Sequence, residues 1–171
     1  MSKNFWYIFR IIDKQKNMKK VGLVTWMVIL AAVVSAFSVL TIEADDVRGT
    51  YWNSEKTAHI RIYRAKDGLY YGKIDKLVEP NNADGTPKKD AENPDESLKS
   101  RDRLGMLIMK GFKWNADESK WEDGTIYDPN NGKTYDGYMY YTGENKDVLN
   151  LRGYVMGMTW LGRTSQWERI E

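Results

Sequence analysis

From Asp45 to the C-terminus, apolar and polar residues alternate with a period of two far more often than with a helical period. The runs His59-Ile60-Arg61-Ile62-Tyr63 and Leu149-Asn150-Leu151-Arg152-Gly153 are the plainest cases. In each, one parity suits a core and the other suits water. The pattern predicts eight strands: Val47 to Asn53, Ala58 to Arg64, Leu69 to Leu77, Leu104 to Lys113, Trp121 to Tyr127, Lys133 to Thr142, Asp147 to Val155 and Arg163 to Ile170. Turn-forming residues separate them at Asp67-Gly68, Asp123-Gly124, Asn130-Asn131-Gly132 and Gly143-Glu144-Asn145. Short strands joined by tight turns over about 120 residues predict an all-β domain, a small closed or nearly closed antiparallel barrel, because closure removes exposed edges. No internal repeat interrupts the series, and no helix is expected after residue 44.

The N-terminal part follows a different pattern. Val21 to Val34 is apolar apart from Thr25 and follows Met18-Lys19-Lys20, the charge and hydrophobic order of a secretory signal, with Met18 the better initiator. Cleavage after Ser38 or after Ala44 would release a soluble barrel. Residues 1–44 are therefore assigned to an extension and signal, and residues 45–171 to one barrel domain exported to the periplasm or beyond. The alternative is an uncleaved anchor, since Val21 to Ile42 is 22 residues long and long enough to span a bilayer.

Glu79 to Arg103 breaks the strand rhythm. It is 25 residues long, holds Pro80, Pro87 and Pro94, and has almost no apolar residue besides Leu98. Loops of such length are either covers over functional openings or solvated excursions.

Composition removes several chemistries. There is no cysteine and a single histidine, His59, so a thiol nucleophile, a Cys/His zinc site, structural disulfides and lipoprotein processing are all excluded. The full chain carries 26 basic and 24 acidic residues, but residues 45–171 hold 20 against 22, so the positive excess belongs to the leader. No nucleic-acid footprint remains. No cofactor and no metal are implied. Asp128-Pro129-Asn130-Asn131-Gly132 has a superficial likeness to a calcium loop, but its glycine is out of register and the closing glutamate is missing. It reads as a hairpin turn capped by Asp128.

Several motifs fall in an order that resembles a known family: Tyr70-Tyr71-Gly72-Lys73-Ile74, Asp90 with Asn93-Pro94, Ser100-Arg101, Gly105 with Lys110-Gly111-Phe112, Trp121 with Gly124-Thr125-Ile126-Tyr127-Asp128-Pro129, Gly132-Lys133-Thr134-Tyr135, Leu151-Arg152-Gly153-Tyr154, and Gly162-Arg163-Thr164 with Trp167 and Arg169. Together they are similar to the bacterial family called domain of unknown function 2147. The resemblance implies an exported protein with a lipocalin-like barrel and brings no established activity. Two departures are visible: Asp136 stands where many relatives carry cysteine, and Gly49-Thr50-Tyr51-Trp52 puts a tyrosine where Gly-x-Trp would put the indole.

Candidate site residues come from strand parity. Arg163, Ser165, Trp167 and Arg169 share a face of the last strand, and inward guanidinium groups must find carboxylates or ring faces. A barrel-closing role follows for Tyr51, Trp52, Trp167 and Arg169, with Arg169 across the Tyr51 or Trp52 ring. The other reading of such an arginine is a hold on an anionic head group at the barrel mouth. Met106, Ile108 and Phe112 share a parity and are expected to line a ligand cavity, with Arg152 or Arg163 near its polar end. Residues 45–171 hold five Trp and ten Tyr against one Phe, rings with polar tips that suit barrel walls and interfaces. Tyr138, Tyr140 and Trp160 are the candidates for exposure.

Three functions fit this pattern. An eight-stranded barrel is about the smallest that holds one small ligand, so a binder of an amphipathic or lipid-like envelope molecule comes first. A filled barrel acting through protein contacts comes second. An enzyme on envelope sugars or acyl groups, using Asp123 and Asp128, comes last, because no nucleophile motif accompanies them and no catalytic residue is assigned.

Overall fold

The computed structural model describes residues 42–171; the expected signal up to residue 41 and the expected cleavage after Ser38 lie outside the described residues, while the alternative position after Ala44 lies within them. Eight antiparallel strands close in chain order into a single barrel: β1 (Gly49–Trp52), β2 (Ala58–Arg64), β3 (Tyr70–Leu77), β4 (Leu107–Asn115), β5 (Lys120–Asp128), β6 (Lys133–Tyr141), β7 (Val148–Tyr154) and β8 (Arg163–Arg169). The turns do what their residues allow. In the β5–β6 turn the Asp128 carboxylate accepts from the Asn130 amide at 2.9 Å, and Gly132 turns back at φ 70°. Three short 3-10 turns, Ala44–Val47, Glu96–Leu98 and Thr159–Leu161, were not expected from the pattern.

Burial follows parity on most strands. Ala58, Ile60 and Ile62 of β2 face inward, as do Met139 and Tyr141 of β6 and Leu149 and Leu151 of β7. β4 is the exception. Its register against β3 shifts twice, between Tyr70 and Gly72 and between Gly72 and Lys73. Each shift inserts a residue and flips the parity. Strict alternation from Met106, Ile108 and Phe112 would put Met109 outside, yet Met109 is fully buried beneath Gly72. The strand also starts at Leu107 rather than Leu104, whose side chain is exposed.

The two ends of the barrel differ in filling. At one end the Ala44–Val47 turn folds across the opening, and Trp121, buried against Trp114, Tyr70 and Tyr141, donates its indole N–H to the Ala44 carbonyl at 2.8 Å. Packing here reaches the backbone: a Cβ on Gly124 would fall inside the Phe112 ring. At the other end the inward side chains leave a space unfilled.

The segment from Glu79 to Arg103 is ordered around one carboxylate. Asp90 is wholly buried and accepts from Arg101 Nε at 3.0 Å and Nη2 at 2.8 Å, from Tyr127 Oη at 2.6 Å and from Asn93 Nδ2 at 2.7 Å. A buried charge with this many donors is compensated rather than stranded. Arg103 then ties the segment to the β5–β6 turn through Asn130 Oδ1 and the Pro129 carbonyl, both at 2.8 Å. The segment packs against this turn, with the Glu92 carbonyl close over Gly132.

Candidate functional site: the open half of the barrel

The unfilled half forms a cavity of about 1450 Å³ that opens between the β1–β2, β5–β6 and β7–β8 turns and the start of the long loop. Its wall is built by period-two alternation from different strands: Ile60 of β2, Ile74 of β3, Ile108 of β4, Ile126 of β5, Leu151 of β7 and Trp167 of β8. Each is contributed by a different strand. Polar groups gather toward the mouth, where Tyr135, Ser165, Arg163, Lys88 and Arg103 border the space. Of the long loop, only Val78, Glu79, Lys88 and Arg103 reach it.

The residues singled out from the sequence separate into three places. Ile108, Arg163 and Trp167 line the cavity. Met106 and Phe112 are buried in the core without lining it. Arg152 stands outside the cavity lining: its Nε and Nη2 bond the Thr159 carbonyl at 3.0 and 2.7 Å, and its Nη1 bonds Thr164 Oγ1 at 3.0 Å. Parity explains this, since Arg152 pairs with Thr164 on the outer face while Leu151 and Ser165 pair on the inner one. Arg163 behaves differently. It is exposed at the mouth, and its side chain makes no hydrogen bond or ion pair with another described residue.

At the closed end Arg169 lies 4.8 Å from the Tyr51 ring centroid, beside the β1–β8 pairing. Its guanidinium also donates to the Lys146 carbonyl at 3.0 Å, the Arg48 carbonyl at 2.8 Å, Tyr141 Oη at 2.6 Å and the Asp46 carbonyl. Gly49 is needed beside it, at φ 153°, because a Cβ there would collide with Arg169 and with the Glu171 carbonyl. Trp52 takes no part in this arrangement. It points outward, edge-on to His59 at 4.1 Å and beneath Lys56 at 5.9 Å. Burial raises the Tyr51 hydroxyl's pKa, helped by the Tyr141 hydroxyl 2.8 Å away, and burial likewise raises that of Tyr141. Asp46 is held below the ordinary aspartate range: burial opposes its charge, but the Lys146 ammonium, the Glu43 amide and Arg169 outweigh that cost.

Several lining residues escaped sequence reading. Ile60 and Ile74 lie on strands whose inward parity was legible, and only the absence of facing bulk makes them cavity wall. Tyr135 shares a parity with Tyr141, yet nothing in its neighbours says that it borders an opening. Asp123 and Asp128 are not joined into a pair of acids: Asp123 is exposed at a β5 bulge with φ 61°, and Asp128 is spent on its own turn. Among the described residues no cluster of His, Asp and Glu could hold a metal ion.

A barrel of eight antiparallel strands, plugged at one end and hollow at the other, has the lipocalin-like architecture. Residues 49–169 match the family described as "Uncharacterized protein conserved in bacteria (DUF2147)", and the chain belongs to that family. It is also similar to a solved protein of Helicobacter pylori described as belonging to the lipocalin family, with 21% identity, a TM-score of 0.62, and coverage of 77% of this chain and 85% of that one. At that identity the likeness concerns the fold. No curated protein matches the chain.

Proposed function

We propose that the protein is an exported binder of one small amphipathic molecule of the bacterial envelope. The apolar part of the ligand lies against Ile60, Ile74, Ile108, Leu151 and Trp167, and its polar end sits at the mouth beside Arg163. The observation that carries this reading is the half-empty barrel, a cavity of about 1450 Å³ with an apolar wall and an unpaired guanidinium at its rim. Sites of this kind hold ligands mainly by burial, with a few polar groups setting orientation. An unpaired arginine at the mouth is a ready partner for a carboxylate or phosphate. The leader from Val21 to Ile42 supports delivery to the envelope, where such molecules are abundant.

Native mass spectrometry of protein purified from its own envelope tests this. The expected spectrum carries a single small-molecule adduct that is lost in Ser165→Phe, which places a ring in the cavity. Adduct-free protein that also fails to take up a fluorescent fatty acid would overturn the proposal.

A further inference from the structure

The loop from Val155 to Gly162, between β7 and β8, exposes more apolar surface than its position in a soluble barrel calls for. Met156 is 86% exposed, Trp160 74% and Leu161 54%, whereas the other described tryptophans are covered or half-covered. Scattered exposed apolar residues are ordinary, but here they gather within one short loop at the mouth. The loop has two sides: Val155 and Leu161 border the cavity, whereas Met156 and Trp160 stand outside its lining.

Two further observations define a partner. Presentation is fixed, because Arg152 grips the Thr159 carbonyl through both Nε and Nη2, holding the 3-10 turn that carries Trp160. Along this stretch of chain the charge is one-sided: residues 148–167 contain Arg152 and Arg163 and no carboxylate. Asp136 of β6 lies opposite Tyr154 at the base of the loop, and the Arg163 side chain has no partner among the described residues. A tryptophan-tipped apolar turn beside an unpaired cation suits the interface of an anionic bilayer, where indole rings sit at head-group depth and each nearby cation adds attraction. A globular protein partner would more ordinarily offer carboxylates, and nothing in the loop is patterned to receive a second strand.

We infer that the β7–β8 loop docks the barrel mouth on an anionic lipid surface, Met156 and Trp160 entering the head-group layer with Arg163 against phosphate, so that an amphipathic ligand passes between bilayer and cavity without crossing water. The ligand passage rests on the cavity reading above; the docking stands apart from it.

The chain has no cysteine, so Met156→Cys creates a single labelling site for an environment-sensitive dye. Full-length protein carrying the dye is reconstituted into vesicles of phosphatidylethanolamine and phosphatidylglycerol, with Tyr140→Cys on the outer wall as control. Because the apolar leader itself holds the chain on the vesicle, the local signal of the dye is the readout. The expected result at 156 is a blue shift and quenching by brominated lipid, both absent at 140 and both reduced by Trp160→Ser with Leu161→Ser. A dye at 156 that remains in water, or a blue shift that follows protein concentration without vesicles, overturns the docking. Equal signals on vesicles of phosphatidylcholine alone overturn its anionic part. Fatty-acid uptake measured without vesicles separates the two readings: docking failure with uptake retained removes this inference alone, and uptake failure with docking retained removes the cavity reading alone.

Discussion

The closed and open halves of the barrel are made by the same strands with the same alternation, yet one is a packed core and the other a container. In the closed half, large side chains lie over inward glycines: Phe112 over Gly124, and Met109 over Gly72, where a Cβ would come within 2.6 Å of the sulfur. In the open half, an inward glycine has room for a methyl group: a Cβ on Gly153 would make only ordinary contacts, the nearest to Tyr135 Cβ at 3.6 Å. Alternation selects which residues point inward, and the match of volumes across the barrel decides whether they meet. Stability and binding are thereby separated along one axis, so substitutions at the two ends are expected to act on different measurements.

The largest effect belongs to Trp121. It is fully buried, touches three aromatic rings and satisfies the Ala44 carbonyl. Trp121→Ala is expected to cost about 4 kcal/mol in urea unfolding, since a large void opens where the walls are already braced. Unchanged unfolding would remove the view that this half carries the stability.

Arg169 comes next. Its planar fork serves four acceptors at once, which one ammonium cannot reproduce. Arg169→Lys is expected to lose about 2 to 3 kcal/mol, the cost of leaving part of that set unsatisfied together with a weakened ring contact. Uptake of a fluorescent fatty acid at a temperature where the variant stays folded should be unaltered, because the cavity lies at the other end.

Much of the fold was legible in the chain, whereas its division into a packed and an open half was not, and the limits are physical. The eight strands and the closed antiparallel barrel follow from period two and turn residues, because a half-buried strand must alternate whatever its neighbours. Met109 was not legible, because a bulge changes parity without a strong local signature. The order of the long loop was also hidden: residues 79–103 are polar and proline-rich, and only the meeting of Asp90 with Arg101, Asn93 and the distant Tyr127 makes them a folded unit. The site was partly legible. Ile108 lines the cavity, and of the two arginines named for its polar end Arg163 borders it while Arg152 lies on the outer face opposite Thr164.

Alkali provides a gentler way to separate the halves. The folded pKa values of Tyr51 and Tyr141 are raised chiefly by burial, and that of Tyr70 is pushed up to about 12 by burial and by its bond to Asp45. A group whose folded pKa exceeds its unfolded value stabilises fully below the unfolded value, here ~10, and its contribution is lost as pH rises toward the folded value. Unfolding free energy should therefore fall steeply above about pH 10, and Tyr51→Phe should flatten that fall. Asp46 works in the opposite direction: held below the usual aspartate range, it contributes above that range and is lost as pH falls through its folded value. A flat alkaline profile would show that the tyrosines of the plug ionise without cost, contrary to their burial.

The smallest effect is the sharpest comparison, a single methyl group added at the same kind of position in each half. Gly124 on β5 and Gly153 on β7 are both inward, with β6 between them, and neither has a positive φ, so alanine fits the backbone at both. At Gly124 the new methyl enters the Phe112 ring, and Phe112 is itself fully buried with no room to withdraw. Gly124→Ala is expected to cost about 1 to 3 kcal/mol through overpacking. At Gly153 the nearest atoms are Tyr135 Cβ at 3.6 Å and Ile126 Cδ1 at 3.9 Å, ordinary contact distances. Gly153→Ala should therefore be neutral or gain up to about 1 kcal/mol, because alanine narrows the unfolded ensemble without straining the folded one. Urea unfolding of the two variants side by side measures the difference. Equal destabilisation would mean that the open half is as tightly filled as the closed one, and the container reading would fail with it.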